Sequence, residues 1–363
     1  MNWSISKPIQ LIATESYIQA LCECNLKGNI LLLLTPSLAK KGHEEQIYSA
    51  LPSAKVSAYI QRINNPDIKQ IESIADSYKG CVFEAIIAIG GGSIIDTAKV
   101  LSVILHPSTQ DKSLAFLKNG VKKEFAASIP LYALPTTSGT GAECTPFATV
   151  WDIKAQKKYS LESSRILPWQ VILDPNLVVD LPEEQTLFTS LDALSHATET
   201  LWNKNQNPLA IAFAKEAIEL IEYNLPFVLS HPGNLQARAQ MQFASYLAGL
   251  AISITKTAIA HAISYPLTYR FEVPHGLACS FSIPAVFKYL ETQSSHEINN
   301  ISHIKKSVTL IKSLGLKKYL SSYLDLEELQ SISGEMNNPQ RFSNFIVTPS
   351  LDELLMILND SWA

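Results

Sequence analysis

The sequence predicts an α/β first half built as a doubly wound, mostly parallel sheet, followed by an all-α second half. Three observations carry this. Before about residue 180, short apolar runs alternate with helix-period segments, the pattern of parallel strands joined by crossover helices. After residue 181 the strand signals stop and helical patterns take over. The length of 363 residues exceeds one ordinary core and suits two domains, placed at 1–181 and 182–363.

The first strand signal is residues 29–35 (NILLLLT), a continuous apolar run closed by Pro36, as expected for a strand buried on both faces. Residues 56–60, 85–89 (AIIAI), 129–134 (IPLYAL) and 170–173 (QVIL) read as four more. Helical patterns lie between them over 67–78 and 94–105, and in the second half over 182–202, 208–229 and 234–257. Pro182 opens the first of these, with Glu183 and Glu184 placed against the positive end of the helix dipole. The apolar stretch 247–267 contains Lys256 and His261, so it reads as a buried helix rather than a membrane span.

Hydrophobic content of 47% and charged content of 17% describe a packed globular chain, not a disordered one. The net charge is −4 with no block of like charge, so nothing argues for a nucleic-acid or membrane partner. The N-terminal residues MNWSISKPIQLIATES lack a basic region followed by an apolar core, so no signal peptide is expected. The five cysteines, Cys22, Cys24, Cys81, Cys144 and Cys279, are odd in number and scattered, which argues against a disulfide framework. These features together predict a cytoplasmic protein. Cys22 and Cys24 read as two helix residues, with a metal-holding pair as the alternative.

Two segments carry the chemistry of phosphate binding. The strand at 85–89 runs directly into Gly90, Gly91, Gly92 and Ser93 and then into a helical pattern. Glycines let the backbone approach a ligand, and the helix start presents N–H groups and a positive dipole end to it. A plain tight turn is the alternative, and the pattern is neither GxGxxG nor a P-loop. After the strand at 129–134 comes P-T-T-S-G-T-G-A-E (135–143), rich in the hydroxyls and amides that a dinucleotide needs. Two such loops at strand C-termini match the general ligand site of open α/β sheets. Asp96, one turn into the first helix, either bonds a loop amide or ligand hydroxyl or serves as a first-turn dipole partner.

A metal constellation follows in the helical half. Asp192 and His196 are four residues apart, on one helix face beside an apolar stripe of leucines. His261 and His275 lie in another apolar stretch, with His275 between Pro274 and Gly276, where a new segment opens. Singly, each histidine reads as structural. As a set, three imidazoles and a carboxylate suit a divalent ion such as Fe²⁺ or Zn²⁺. His43, His106, His231, His296 and His303 have polar or loop contexts and read as surface residues.

In order, G-G-G-S-x-x-D-x-A-K (90–99), P-T-T-S-G-T-G-A-E (135–143), D-A-L-S-H-A-x-E (192–199) and H-A-I-S-Y-P-L…P-H-G (261–276) closely resemble the iron-containing, group III alcohol dehydrogenases. The resemblance covers roughly residues 25–285. It implies a Rossmann-like N-terminal domain, an all-helical C-terminal domain, and interconversion of a small aldehyde and its alcohol with a nicotinamide cofactor. It implies that Asp192, His196, His261 and His275 hold the metal. It maps cofactor contacts onto Gly91, Gly92, Ser93, Thr136 and Thr137, and further onto Asn65, Lys158 and Val178. It also implies a homodimer or larger homo-oligomer.

Two departures stand out. Many members carry a further histidine four residues after the third ligand, where this chain has Tyr265, whose hydroxyl is then a candidate for proton transfer. Many NAD-preferring members carry an Asp just after the first strand, where this chain has Thr35 and Pro36. The lost carboxylate removes a repulsion against a 2′-phosphate, so both NAD(H) and NADP(H) stay open. Within the family, W-N-K-N-Q-N-P (202–208) and the histidine stretch are similar to the branch that reduces phosphonoacetaldehyde to 2-hydroxyethylphosphonate. A phosphonate needs cations, and Lys204 and Arg270 are candidates, with surface residues as the alternative reading. Two rival functions remain at this point. One is a dehydroquinate-synthase-like or glycerol-1-phosphate dehydrogenase-like enzyme on the same plan, and the other is a non-catalytic assembly or binding protein.

Overall fold

A computed structural model of the chain describes residues 9–63, 65–109, 113–119, 123–155, 157–293, 300–337 and 342–362. It divides into two compact units, Met1–Thr137 with Ala142–Val178, and Ser138–Gly141 with Val179–Ala363. The break in the chain thus falls at 178/179, and a short piece of the threonine-rich segment joins the second unit.

Among the described residues the first unit holds eight strands: β1 (Gln10–Ala13), β2 (Gly28–Leu34), β3 (Ala54–Ile60), β4 (Ala85–Gly90), β5 (Leu131–Pro135), β6 (Phe147–Asp152), β7 (Lys157–Glu162) and β8 (Gln170–Leu173). Six form a sheet in the order β1-β8-β5-β4-β2-β3, and every pairing in it is parallel. The continuous apolar runs occupy its interior. Ile30 to Leu34 of β2 and all of β4 are buried, because both faces of an inner parallel strand are covered. Between them run helices such as Ile68–Ser77, whose N-terminus is capped by the Asp67 carboxylate accepting from the Lys69 and Gln70 amides.

Two features were not expected from the sequence. The edge strand β1 is four residues long and pairs only with β8, and QLIA is too short to show a period. Strands β6 and β7 form an antiparallel pair, and β6 alternates buried and half-buried residues. FATVWD does not show that period in its residue types, since Phe147, Ala148, Val150 and Trp151 are all apolar, and the pairing with β7 defines the strand.

A buried cluster ties β6 to the helix Gly92–Ile104. The Lys99 ammonium, fully enclosed, donates to Thr145 Oγ1 at 3.0 Å and to the Phe147 carbonyl at 2.8 Å, and pairs with Asp96 at 3.4 Å. Burial pushes the nearby Glu143 carboxyl up to about 7 from its ordinary 4.5, against an opposing pull from Lys99. Between those two pH values the folded chain holds a proton that the unfolded chain has lost. Stability contributed by Glu143 is therefore present below pH 4.5 and is lost as pH rises toward 7, by on the order of 3 kcal/mol. Urea melts across this window should show that slope, and Glu143→Gln should remove it.

The second unit is helical throughout the described residues. The helix Glu183–Leu201 buries nearly every side chain from Thr186 onward, so it is a core helix rather than an amphipathic surface one. Helices Pro208–Ser230, Leu235–Thr255 and His275–Ser280 pack around it. The stretch 247–267, expected as one buried helix, is two. The helix Leu235–Thr255 stops where Lys256 adopts φ +60°, and Ile259–Arg270 leaves at 108°. Its apolar residues belong to the core of this unit, and no single described helix is long and apolar enough to cross a membrane.

One glycine makes the next step possible. A Cβ on Gly276 would lie 1.6 Å from the Phe188 carbonyl oxygen and 3.0 Å from the Asp192 amide nitrogen. Only glycine lets the helix His275–Ser280 come this close to Glu183–Leu201, carrying His275 with it.

Candidate metal centre and nucleotide loops

Four side chains from three helices of the second unit converge on one oxygen. His196 Nε2 lies 3.4 Å from Asp192 Oδ1, His261 Nε2 3.5 Å and His275 Nε2 3.8 Å. A tetrahedral ion with bonds of about 2.1 Å separates its ligands by about 3.4 Å, so each imidazole stands at about one ligand edge from Asp192 Oδ1, and Asp192, His261 and His275 also offer donor atoms all within 4.8 Å of one another. The His261 Nε2 atom supports that fit. It is buried and has no hydrogen-bond partner, a costly state for a polar atom that a bound ion would relieve. The His196 and His261 rings stack at 4.7 Å, and His275 stands edge-on to His261 at 5.4 Å. The side chains of Asp192, His196 and His261 are almost fully enclosed, whereas that of His275 is 36% exposed, so the centre opens on the His275 side.

The electrostatics suit cation binding. Burial alone would raise the Asp192 carboxyl, but the three histidines outweigh it and hold it below the usual carboxylate range. Burial pushes His196 down to about 4, leaving a neutral imidazole with a lone pair to offer. For His261, burial is outweighed by Cys279, Glu199 and Asp192, which hold the ring well above the ordinary value. A metal ion would displace its Nε2 proton.

Glu199, which sequence reasoning noted only as a motif letter, organises this site. Its enclosed carboxylate accepts from the Ala258 amide at 2.9 Å, from Ala260 at 2.6 Å and from His261 at 3.4 Å, and meets His261 Nδ1 at 2.7 Å. It therefore clamps the start of the helix Ile259–Arg270 and takes the Nδ1 proton, which leaves Nε2 for an ion. The signal was present, since Asp192, His196 and Glu199 fall at i, i+4 and i+7 on one helix face. Cys279 was also passed over. It follows His275 by one turn, and its Sγ lies 3.5 Å from Asp192 Oδ1.

The remaining candidates of this unit stand as follows. The Tyr265 ring, half-buried, stacks on His275 at 6.0 Å. Lys204 is exposed, and its amide donates to the Asn344 carbonyl at 2.8 Å. The Arg270 guanidinium is held by both carboxylate oxygens of Glu335, at 2.9 and 2.6 Å, so a substrate contact would require opening that pair. Of the other histidines, His231 is exposed, His43, His106 and His303 are half-buried, and His296 lies outside the described residues.

In the first unit the two glycine- and threonine-rich loops lie side by side. Strand β4 turns at Gly91 into the helix Gly92–Ile104, whose start carries no side-chain cap. The Thr136 amide donates to the Gly90 carbonyl at 3.1 Å, and a Cβ on Gly91 would meet Thr137 Cγ2 at 3.4 Å. Gly91, Gly92, Ser93, Thr136 and Thr137 are thus grouped at the C-terminal ends of β4 and β5, all partly exposed. Asp96 bonds neither a loop amide nor a ligand group but a strand amide, because its Oδ2 accepts from the Thr149 N–H of β6 at 2.8 Å. Lys158 Nζ lies 5.7 Å over the Trp151 ring, Asn65 is exposed, and Val178 is buried with its amide bonded to the Pro175 carbonyl. None of the five cysteines is in a disulfide, and Cys22 lies in the helix Tyr17–Glu23 with Cys24 at its C-cap.

Residues 12–175 match the family model for iron-containing alcohol dehydrogenase, and residues 186–345 match that for its C-terminal part. The chain belongs to the iron-containing alcohol dehydrogenase family. It is 33% identical over 280 residues to a sulfoacetaldehyde reductase of Bilophila wadsworthia, covering 76% of this chain and 71% of that one. It is 32% identical over 222 residues to a phosphonoacetaldehyde reductase of Streptomyces viridochromogenes, covering 60% and 56%. Among solved structures, the sulfoacetaldehyde reductase of Bifidobacterium kashiwanohense in complex with NAD⁺ superposes with a TM-score of 0.86 at 26% identity, over 100% of this chain and 99% of that one. As a family member, this chain is an oxidoreductase acting on CH–OH groups with a divalent metal and a nicotinamide cofactor. The match decides for that reading over the cyclase-type and non-catalytic alternatives.

Proposed function

We propose that this family member reduces a small aldehyde carrying an anionic head, phosphonoacetaldehyde being one candidate, to its alcohol, with Asp192, His196, His261 and His275 as the metal ligands. The observation that carries the metal assignment is the convergence of three imidazole Nε2 atoms on Asp192 Oδ1. An ion held there supplies Lewis acidity toward a carbonyl oxygen. The chain's own residues do the rest. Glu199 fixes the His261 tautomer, and Gly91, Gly92, Ser93, Thr136 and Thr137 bind the dinucleotide, with Asn65, Lys158 and Val178 at its margins. A bound nicotinamide would supply the hydride for the carbonyl carbon, and Tyr265 Oη is the chain's candidate source of the proton that the carbonyl oxygen takes up. Its working form is a cytoplasmic homodimer or larger homo-oligomer.

The anionic head is supported by the names of two relatives, which act on phosphono- and sulfoacetaldehyde. Lys204, exposed after the helix that carries Asp192 and His196, is its preferred cation, ahead of the Glu335-bound Arg270. No carboxylate follows β2, where Thr35 precedes a short helix opened by Pro36, so both NADH and NADPH are expected to serve. A spectrophotometric screen of the metal-loaded protein tests this. Phosphonoacetaldehyde or sulfoacetaldehyde should give a kcat/KM at least about tenfold above propanal, equivalent to about 1.4 kcal/mol of differential binding. Equal values for propanal would remove the anionic-head assignment.

A further inference from the structure

We infer that Cys279 is itself a metal ligand, forming with Asp192, His261 and His275 a second donor set at the same centre that takes a thiophilic ion such as Zn²⁺ and leaves His196 out. The inference rests on the metal reading above and adds a donor that the three-imidazole set does not contain.

The geometry is specific. One ligand atom from each of Asp192, His261, His275 and Cys279 lies within 4.8 Å of all the others. For a zinc ion with a Zn–S bond of about 2.3 Å and a Zn–O bond of about 2.0 Å, the tetrahedral S···O edge is about 3.5 Å. Cys279 Sγ stands 3.5 Å from Asp192 Oδ1. The unpartnered His261 Nε2 is shared by both donor sets and is enclosed, so the cysteine is not a lone sulfur at the surface.

The backbone holds the sulfur in place. Cys279 follows His275 by one turn, which puts both side chains on one side of the helix His275–Ser280. The Ser195 hydroxyl donates to the Cys279 carbonyl at 2.9 Å, and the Ser280 hydroxyl donates to the Leu191 carbonyl at 2.8 Å. Both bonds pin this helix to the one carrying Asp192. Cys279 is fully buried, so the sulfur has no water-facing alternative.

Two overlapping sets let the ion choose its donors. The imidazole-rich set suits Fe²⁺, and the set containing sulfur suits the softer Zn²⁺. When zinc binds, the thiol proton leaves to solvent and the thiolate joins the Asp192 carboxylate. Two anionic donors then balance the charge of the ion in a closed four-coordinate site, the pattern of structural rather than catalytic zinc. The other reading is that Cys279 only donates its S–H to Asp192.

X-ray absorption of the full-length protein loaded with Zn²⁺ alone distinguishes the two. A sulfur scatterer at about 2.3 Å is expected, absent in Cys279→Ser, which should keep zinc on nitrogen and oxygen donors. The Co²⁺-loaded protein should show a thiolate-to-cobalt charge-transfer band in the near ultraviolet that Cys279→Ser lacks. His196→Ala should retain zinc with its sulfur shell. One zinc per chain bound by nitrogen and oxygen alone would overturn the inference and leave the metal centre standing. Failure of the wild-type protein to bind any divalent ion would overturn both.

Discussion

Replacing His261 with alanine is expected to abolish metal retention and turnover while nucleotide binding survives. His261 stands at the middle of the centre. Its ring stacks on His196 and meets His275 edge-on, and its Nε2 lies 3.5 Å from Asp192 Oδ1. Without it, Asp192, His196 and His275 keep their places but lose an enclosed ring nitrogen that has no hydrogen-bond partner. The proposed nucleotide contacts Gly91, Gly92, Ser93, Thr136 and Thr137 lie in the first unit, at the ends of β4 and β5. Metal content after gel filtration should fall to background, and activity should fall on the order of 10³-fold or more, the scale of losing a main electrostatic stabiliser. Titration of NADH fluorescence should be unchanged. An active His261→Ala variant that keeps its metal would show that the ion lies elsewhere.

Glu199→Gln is expected to weaken metal binding by about 10- to 100-fold without abolishing it. The amide keeps the size of the carboxylate but presents an N–H₂ group where Ala258, Ala260 and His261 all present donors. Either a helix-start amide or the His261 Nδ1 proton then loses its acceptor, and the ring tautomer is no longer fixed. Excess metal should restore most of the activity, which separates this orienting role from the ligand role of His261. Glu199→Ala strips away every acceptor and leaves buried donors unpaired, so it should also cost about 3–5 kcal/mol of stability. Competition with a chromophoric chelator measures the first effect and thermal melts the second. Unchanged metal affinity in Glu199→Gln would remove the orienting role.

What the sequence disclosed and what it withheld follow from where the interactions run. Strands β2 and β4 were legible because an inner parallel strand writes its burial as an unbroken apolar run. The four residues of β1 cannot show a period, and the polar residues of β7 mask a hairpin whose pairing alone defines it. The turn at Lys256 has no glycine or proline to announce it, so one helix was expected where two lie at 108°. In the site, Asp192 and His196 were legible through their spacing along one helix. Glu199 shares that face at i+7, but what it does, like what Cys279 does, arises only in tertiary contact. Glu199 reaches residues 258–261, and Cys279 reaches back 87 positions to Asp192. Asp96 shows the same limit from the other side. Its place in the glycine-rich motif left a loop amide, a ligand hydroxyl and a first-turn dipole role open, and a strand amide 53 residues later takes its carboxylate.

The central claim is that one carboxylate and three imidazoles of the helical unit share a single divalent ion. Anomalous diffraction from crystals loaded with Fe²⁺ tests it most directly. One peak is expected per chain, within about 2.3 Å of Asp192 Oδ1 and of the Nε2 atoms of His196, His261 and His275. A peak bound elsewhere, or full turnover by protein shown to carry no metal, would contradict it.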